Sequence, residues 1–173
     1  SRVEGIGVFE IAEEAIRNNA LPELGGQEAI RREVKYGANS RIDLLLEGNG
    51  KPTCYVEVKN VTLIRQPGLA EFPDCATARG TKHLMEMADM VRAGHRAVML
   101  YVIQCATPQR FALTPDLDPV YFGAFQAARK AGVPLTQTRV SSMMCAFFTQ
   151  GPVTDWASAK KADPKAYAKF FHQ

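Results

Sequence analysis

The sequence predicts a mixed α/β domain, a central mixed β-sheet flanked by helices. Three observations predict it. Behind a leading helix, strand-length apolar runs bounded by turn residues alternate with longer stretches of helical apolar spacing, in the order βββ-α-β-α-β. The longest apolar run, Ala97 to Ile103, has strand length and no charged residue, as a central strand buried on both faces requires. Finally, 173 residues, 46% hydrophobic and 23% charged, suffice for one full core without metal or disulfide staples.

Each element follows from local signals. Residues 9–19 carry Ile11, Ala12, Ala15 and Ile16 at helical spacing, and Asn18, Asn19 and Pro22 close that helix. Strands are expected over 30–36, 40–46 and 53–63, separated by the turn-forming clusters 37–39 and 48–52. After Pro67-Gly68 and Phe72-Pro73, Asp74 is placed to cap a helix over 75–93, with Leu84, Met87, Ala88 and Val91 as its apolar stripe and Gly94 as its stop. The buried strand spans 96–104. Asp118-Pro119 opens a helix to about Ala131, ended by Gly132, and two further strands are expected at 135–140 and 143–149. The Lys- and Ala-rich tail suggests a short amphipathic helix near 163–171. The division expected is a helix and junction over 1–26, an α/β domain over 27–151 and a tail over 152–173.

The balance of 21 basic against 18 acidic residues, a net charge of +3, permits an anionic partner without demanding one. No apolar run approaches the roughly 20 residues that a bilayer span needs, and no charged-then-apolar leader is visible at Ser1-Arg-Val-Glu-Gly, so the expected location is cytoplasmic, with no membrane partner. Cys54, Cys75, Cys105 and Cys145 form no CxxC pair and have only His83, His95 and His172 as companions. Zinc-site spacing is absent, and such scattered thiols read as core residues of a reducing compartment.

The hairpin of residues 41–47 and 53–59 carries the chemistry. A Gly48-to-Pro52 loop sets Glu47 opposite Thr53, so that Ile42 faces Val58, Leu44 faces Val56 and Leu46 faces Cys54, making one side wholly apolar. The other side then pairs Arg41 with Lys59, Asp43 with Glu57 and Leu45 with Tyr55. Two carboxylates are expected with Cβ atoms about 4.5–5.5 Å apart, an unfavourable meeting of like charges. A bridging divalent cation relieves it, since hard cations take oxygen ligands, and Arg41 and Lys59 then suit a phosphate. The competing reading is a solvated network with diagonal pairs Asp43–Lys59 and Glu57–Arg41.

Asp43 followed by Glu57-Val58-Lys59 gives D-x(13)-E-x-K on adjacent strands, a pattern that resembles the PD-(D/E)XK nuclease core. Around it stand Arg32-Glu-Val-Lys-Tyr-Gly37, Ser40-Arg-Ile-Asp43, Tyr55-Val-Glu-Val-Lys-Asn-Val-Thr-Leu63, Phe72-Pro-Asp74, Arg79-Gly-Thr-Lys-His-Leu84 and Gly94-His-Arg-Ala-Val98. In this order, with Asp118-Pro119 and Tyr121 also in place, the blocks resemble the sugar fermentation stimulation protein A family over about residues 12–140.

The resemblance implies a restriction-endonuclease-like core, preceded in the family by an OB-like barrel that is expected to be missing here, where the chain starts near the junction. It also implies non-specific binding to the DNA backbone and a regulatory link to maltose and sugar metabolism. In the nuclease reading Asp43, Glu57 and the Val58 backbone carbonyl hold Mg²⁺ or Mn²⁺, and Lys59 orients or deprotonates a water. An additional acid would be Glu14 or Glu33, although a salt bridge is the simpler reading of either. Arg41, Lys35, Arg79, Lys82 and His83 are the candidate DNA contacts, against a solvated helix face for Arg79 and Lys82 and a packing role for His83. The alternative to a nuclease is a non-cleaving DNA-binding regulator. A small-molecule sensor ranks last, because no sugar-binding aromatic platform stands out near the hairpin.

Overall fold

The structure, a computed structural model, describes residues 7–48, 50–105, 107–130, 136–140 and 143–147. The helix expected near 163–171 lies outside these residues. The chain runs through α1 (Val8–Arg17), a 3-10 turn at Pro22–Leu24, β1 (Ala29–Tyr36), β2 (Ser40–Glu47), β3 (Cys54–Val61), β4 (Leu63–Gln66) and β5 (Leu69–Phe72). It continues through α2 (Ala78–Arg92), β6 (Arg96–Ile103), β7 (Arg110–Leu113), α3 (Pro119–Lys130), β8 (Thr136–Val140) and β9 (Met143–Phe147).

A six-stranded mixed sheet in the order β1-β2-β3-β6-β9-β8 forms the centre, and β3–β6 is its one parallel pair among the described residues. That pair is parallel because α2 lies between the two strands and returns the chain to the sheet's starting end. The mixed α/β architecture expected from the sequence is the one observed.

Alternation along the strands divides the core into two layers. On one side Ala12, Ala15 and Ile16 of α1 pack with Leu44, Leu46, Cys54, Val56, Val58, Val98, Leu100 and Val102. On the other, Leu84, Met87 and Ala88 of α2 and Tyr121, Phe125 and Ala128 of α3 cover Leu45, Met99 and Tyr101. Every residue of β6 beyond Arg96 is buried, which is why its sequence is an unbroken apolar run. No helix of the described residues is long and apolar enough to cross a membrane.

Several expectations are corrected. The strand expected over 53–63 divides after Val61, and a second sheet of order β4-β5-β7 appears. Its strands are four residues each and β4 is largely exposed, so neither length nor alternation announces them. Helix α2 begins at Ala78 rather than 75, because Thr77, not Asp74, caps it by accepting the Gly80 N–H at 3.0 Å. Asp118 does cap α3, its Oδ1 accepting from Tyr121 N at 2.8 Å, while Oδ2 accepts from Thr77 N at 2.7 Å and ties the two helix starts together. Of the thiols, Cys54 is buried as expected, but Cys75 is exposed and Cys105 half-buried, each lying in a connection rather than an element.

Candidate metal centre

The hairpin register follows the expected pairing at Leu44↔Val56, Leu45↔Tyr55 and Leu46↔Cys54, and there the ladder stops. The expected pairs Asp43–Glu57, Ile42–Val58 and Arg41–Lys59 are not formed. Instead the Asp43 carboxylate enters the gap, its Oδ2 accepting the Val58 N–H at 2.7 Å. A side chain thus replaces a strand as partner, so the two acids become neighbours without standing directly opposite. The β1–β2 ladder skips at the same level: Arg32↔Leu44 and Val34↔Ile42 pair, but Glu33 and Asp43 do not, and Glu33 takes a φ of 51°. With the strand bent there, Ile42 packs in the layer covered by α2 rather than with Leu44.

Glu57 is only 2% exposed. Its Oε1 meets both the Lys59 ammonium at 2.6 Å and His83 Nδ1, from α2, at 2.5 Å. Its Oε2 is buried and has no hydrogen-bond partner among the described residues. Burial alone would raise the Glu57 carboxyl, but the His83 bond and the Lys59 charge overcome it and hold the group below the usual range. Asp43 behaves oppositely. Burial, joined by repulsion from Glu57, pushes it up to about 6, against the opposing pull of the Val58 N–H, Lys59 and His83.

The two acids are therefore close enough to disfavour ionising together, and one of them presents an unpartnered buried oxygen. This donor set of hard oxygens fits a divalent cation such as Mg²⁺, Mn²⁺ or Ca²⁺. Among the described residues no three His, Cys, Asp or Glu side chains gather as a ready metal cluster.

The surroundings are also polar. The Tyr36 hydroxyl, the Ser40 hydroxyl and Glu86 Oε2 are buried and have no hydrogen-bond partner among the described residues. Burial and the charges of Glu57, Glu86 and Asp43 raise the Tyr36 phenol well above its ordinary range, keeping it a neutral donor. Glu86 approaches the β1–β2 turn where Gly37, at a φ of 56°, passes: a Cβ there would lie 2.7 Å from Glu86 Oε1. Tyr36 and Glu86 were not singled out from the sequence. Their only signal is position, Tyr36 closing the first strand and Glu86 one helical turn beyond Lys82.

The remaining candidates separate by location. Lys59 is at the centre, with a side chain 15% exposed. Arg41 and Lys35 are exposed and directly paired across β1 and β2, and Arg41 donates to the Glu33 carbonyl at 3.3 Å rather than to Glu57. The diagonal charge network expected as the competing reading is thus not formed. Arg79 and Lys82 are exposed on α2, with Lys82 3.9 Å from Glu86. His83 is not with them: it is 3% exposed and turned inward, because it continues the buried stripe of Gly80, Leu84 and Met87.

Glu14 is exposed on α1, which covers the sheet's opposite face, so it supplies no acid here. Its neighbour Glu13 is the buried one, binding Arg17 at 2.6 Å and Arg32 at 2.5 Å and fastening α1 to β1. Glu33 is exposed, at the level of Asp43 on the neighbouring strand.

Comparison with known proteins places these residues in context. The family model described as "Sugar fermentation stimulation protein RE domain" matches residues 8–170, further at both ends than the resemblance over about 12–140 and into the tail over 152–173. A sugar fermentation stimulation protein homolog of Azorhizobium caulinodans is 62% identical over 120 residues, covering 69% of this chain and 51% of that protein. One from Brucella ovis is 58% identical over 123 residues, covering 71% and 52%. The chain thus spans about half the length of the curated relatives it matches. Among solved structures, Pyrococcus furiosus SfsA in complex with Ca²⁺ superposes with a TM-score of 0.64 at 30% identity, covering 78% of this chain and 59% of that one.

Proposed function

The chain belongs to the sugar fermentation stimulation protein family, and on that premise we propose that it is a DNA-binding protein with a PD-(D/E)XK-type site that hydrolyses phosphodiesters with Mg²⁺ or Mn²⁺. The observation that carries this reading is the state of Glu57: one oxygen bound twice, the other buried and unpartnered, beside an Asp43 whose ionisation it opposes. A shared cation would satisfy the free oxygen and bring the Asp43 carboxyl down together. That a structural relative carries Ca²⁺ supports a divalent ion in this family.

In this reading Asp43 and Glu57 are the side-chain ligands. The N–H and C=O of one strand residue point to the same edge, so the Val58 carbonyl faces the gap into which Val58 donates, and it is the backbone ligand. A cation bound there supplies Lewis-acid polarisation of the phosphodiester and lowers the pKa of a bound water. Lys59 orients the attacking water and offsets phosphate charge from the same strand face. Arg41, Lys35, Arg79 and Lys82 hold the DNA backbone on either side and carry no sequence information.

One observation favours the alternative, a non-cleaving DNA-binding regulator linked to sugar metabolism: Lys59 is engaged with Glu57 at 2.6 Å. The decisive assay incubates the chain with plasmid and oligonucleotide DNA in Mg²⁺, Mn²⁺ or chelator. The nuclease reading expects metal-dependent cleavage that Lys59→Ala abolishes while DNA affinity persists. Binding in chelator, with no cleavage in either metal, selects the regulator instead.

A further inference from the structure

Glu57 is held entirely through Oε1, and the only holder outside its own strand among the described residues is His83. The two donors differ in kind. Lys59 is a point charge at the end of a flexible stem and fixes no plane. His83 is a planar ring, 3% exposed, wedged into the α2 stripe between Gly80, Leu84 and Met87. That helix is itself fixed at its start, by the Thr77 cap and the Asp118 carboxylate.

Resting on the reading above, in which Asp43 and Glu57 share a divalent cation, we propose that His83 is a positioning residue: by binding Glu57 Oε1 it turns Oε2 toward the cation. A ligand carboxylate free to rotate presents its oxygens in many settings, and an outer partner that selects one raises affinity for the metal. With Nδ1 2.5 Å from a carboxylate oxygen, this role requires the ring to donate, its proton on Nδ1. His83 touches neither metal nor substrate in this account and acts only through Glu57.

The test is calorimetric titration of Mn²⁺ into the metal-free 173-residue chain and its variants, with melting temperatures measured in chelator. His83→Leu, which fills the pocket but offers no donor, is expected to weaken Mn²⁺ binding about 10–100-fold and also to lower the melting temperature, because buried Glu57 loses a donor. His83→Asn, which packs less well but places an amide donor near the Nδ1 position, is expected to bind within about threefold of the unsubstituted protein, well inside that range. A purely structural histidine predicts Mn²⁺ affinity unmoved in both variants, whatever their melting temperatures. Full affinity in His83→Leu, with binding lost in Asp43→Asn, would overturn the role of His83 and leave the metal site standing. No Mn²⁺ binding by the unsubstituted protein would overturn both. Should His83→Leu not fold, ¹⁵N NMR of the unsubstituted protein decides: a protonated Nδ1 supports the proposal and a bare Nδ1 overturns it.

Discussion

Burial and the Glu57 charge push the Asp43 carboxyl up to about 6, whereas His83 and Lys59 hold Glu57 low despite its burial. The two acids therefore contribute to stability with opposite signs. A carboxyl raised in the folded state binds its proton more tightly there than in the unfolded chain, so its contribution is present below its ordinary 3.8 and is lost as pH rises through about 6. Glu57, lowered, contributes above its ordinary 4.5, and that contribution is lost on acidification. Asp43→Asn keeps the acceptor for Val58 N–H but removes the charge. In chelator at pH 8 it should raise stability by about 1–2 kcal/mol, the partial exposure of Asp43 screening the larger figure that its shift alone implies. At pH 4 the gain should vanish, and thermal melts across that range check it; a gain independent of pH contradicts the assignment. Alternation along β3 makes Glu57 and Lys59 legible in the sequence as one face, and the D-x(13)-E-x-K spacing adds Asp43. His83 was legible only as a basic residue near a stripe, because helical spacing leaves a residue at the stripe's edge free to point in or out.

At the scale of elements, the hairpin register was readable because a slip of one residue would place Asp43 and Glu57 in the apolar layer. What periodicity does not encode is where a ladder ends. The gap beyond Leu44↔Val56 depends on one side chain competing for one N–H, which only the three-dimensional arrangement reveals. The small β4-β5-β7 sheet stayed hidden for a related reason. Its strands are four residues each, too short for alternation to register, and the largely exposed β4 is tied down by Arg65, bound to Glu71 at 2.6 Å and also to Asp116. Leu44 closes the paired part of the hairpin and is 1% exposed under α1. Leu44→Ala should cost about 2–5 kcal/mol of stability, read from urea denaturation. A loss under about 1 kcal/mol, the range of surface changes, would mean that the α1 layer does not anchor the hairpin.

Across the whole molecule, a net charge of +3 says little, and the proposed DNA contacts are four individual exposed cations, Arg41 and Lys35 paired across β1 and β2 and Arg79 and Lys82 on α2. If they hold DNA backbone, each neutralised phosphate adds about 0.9 to the slope of log affinity against log salt. Substituting any one by Ala should weaken binding to all sequences alike and flatten that slope by about one. Unchanged slopes would move the DNA path elsewhere. The six-stranded sheet and the α2 layer together bury Glu57 against His83 while leaving Asp43 and Lys59 half-buried. The most direct test of that account is a crystal of the protein soaked in Mn²⁺ and measured for anomalous scattering. The account predicts a single peak about 2.0–2.3 Å from Glu57 Oε2 and an Asp43 oxygen, with His83 still on Oε1. No peak at saturating Mn²⁺, or a peak remote from both carboxylates, would contradict it.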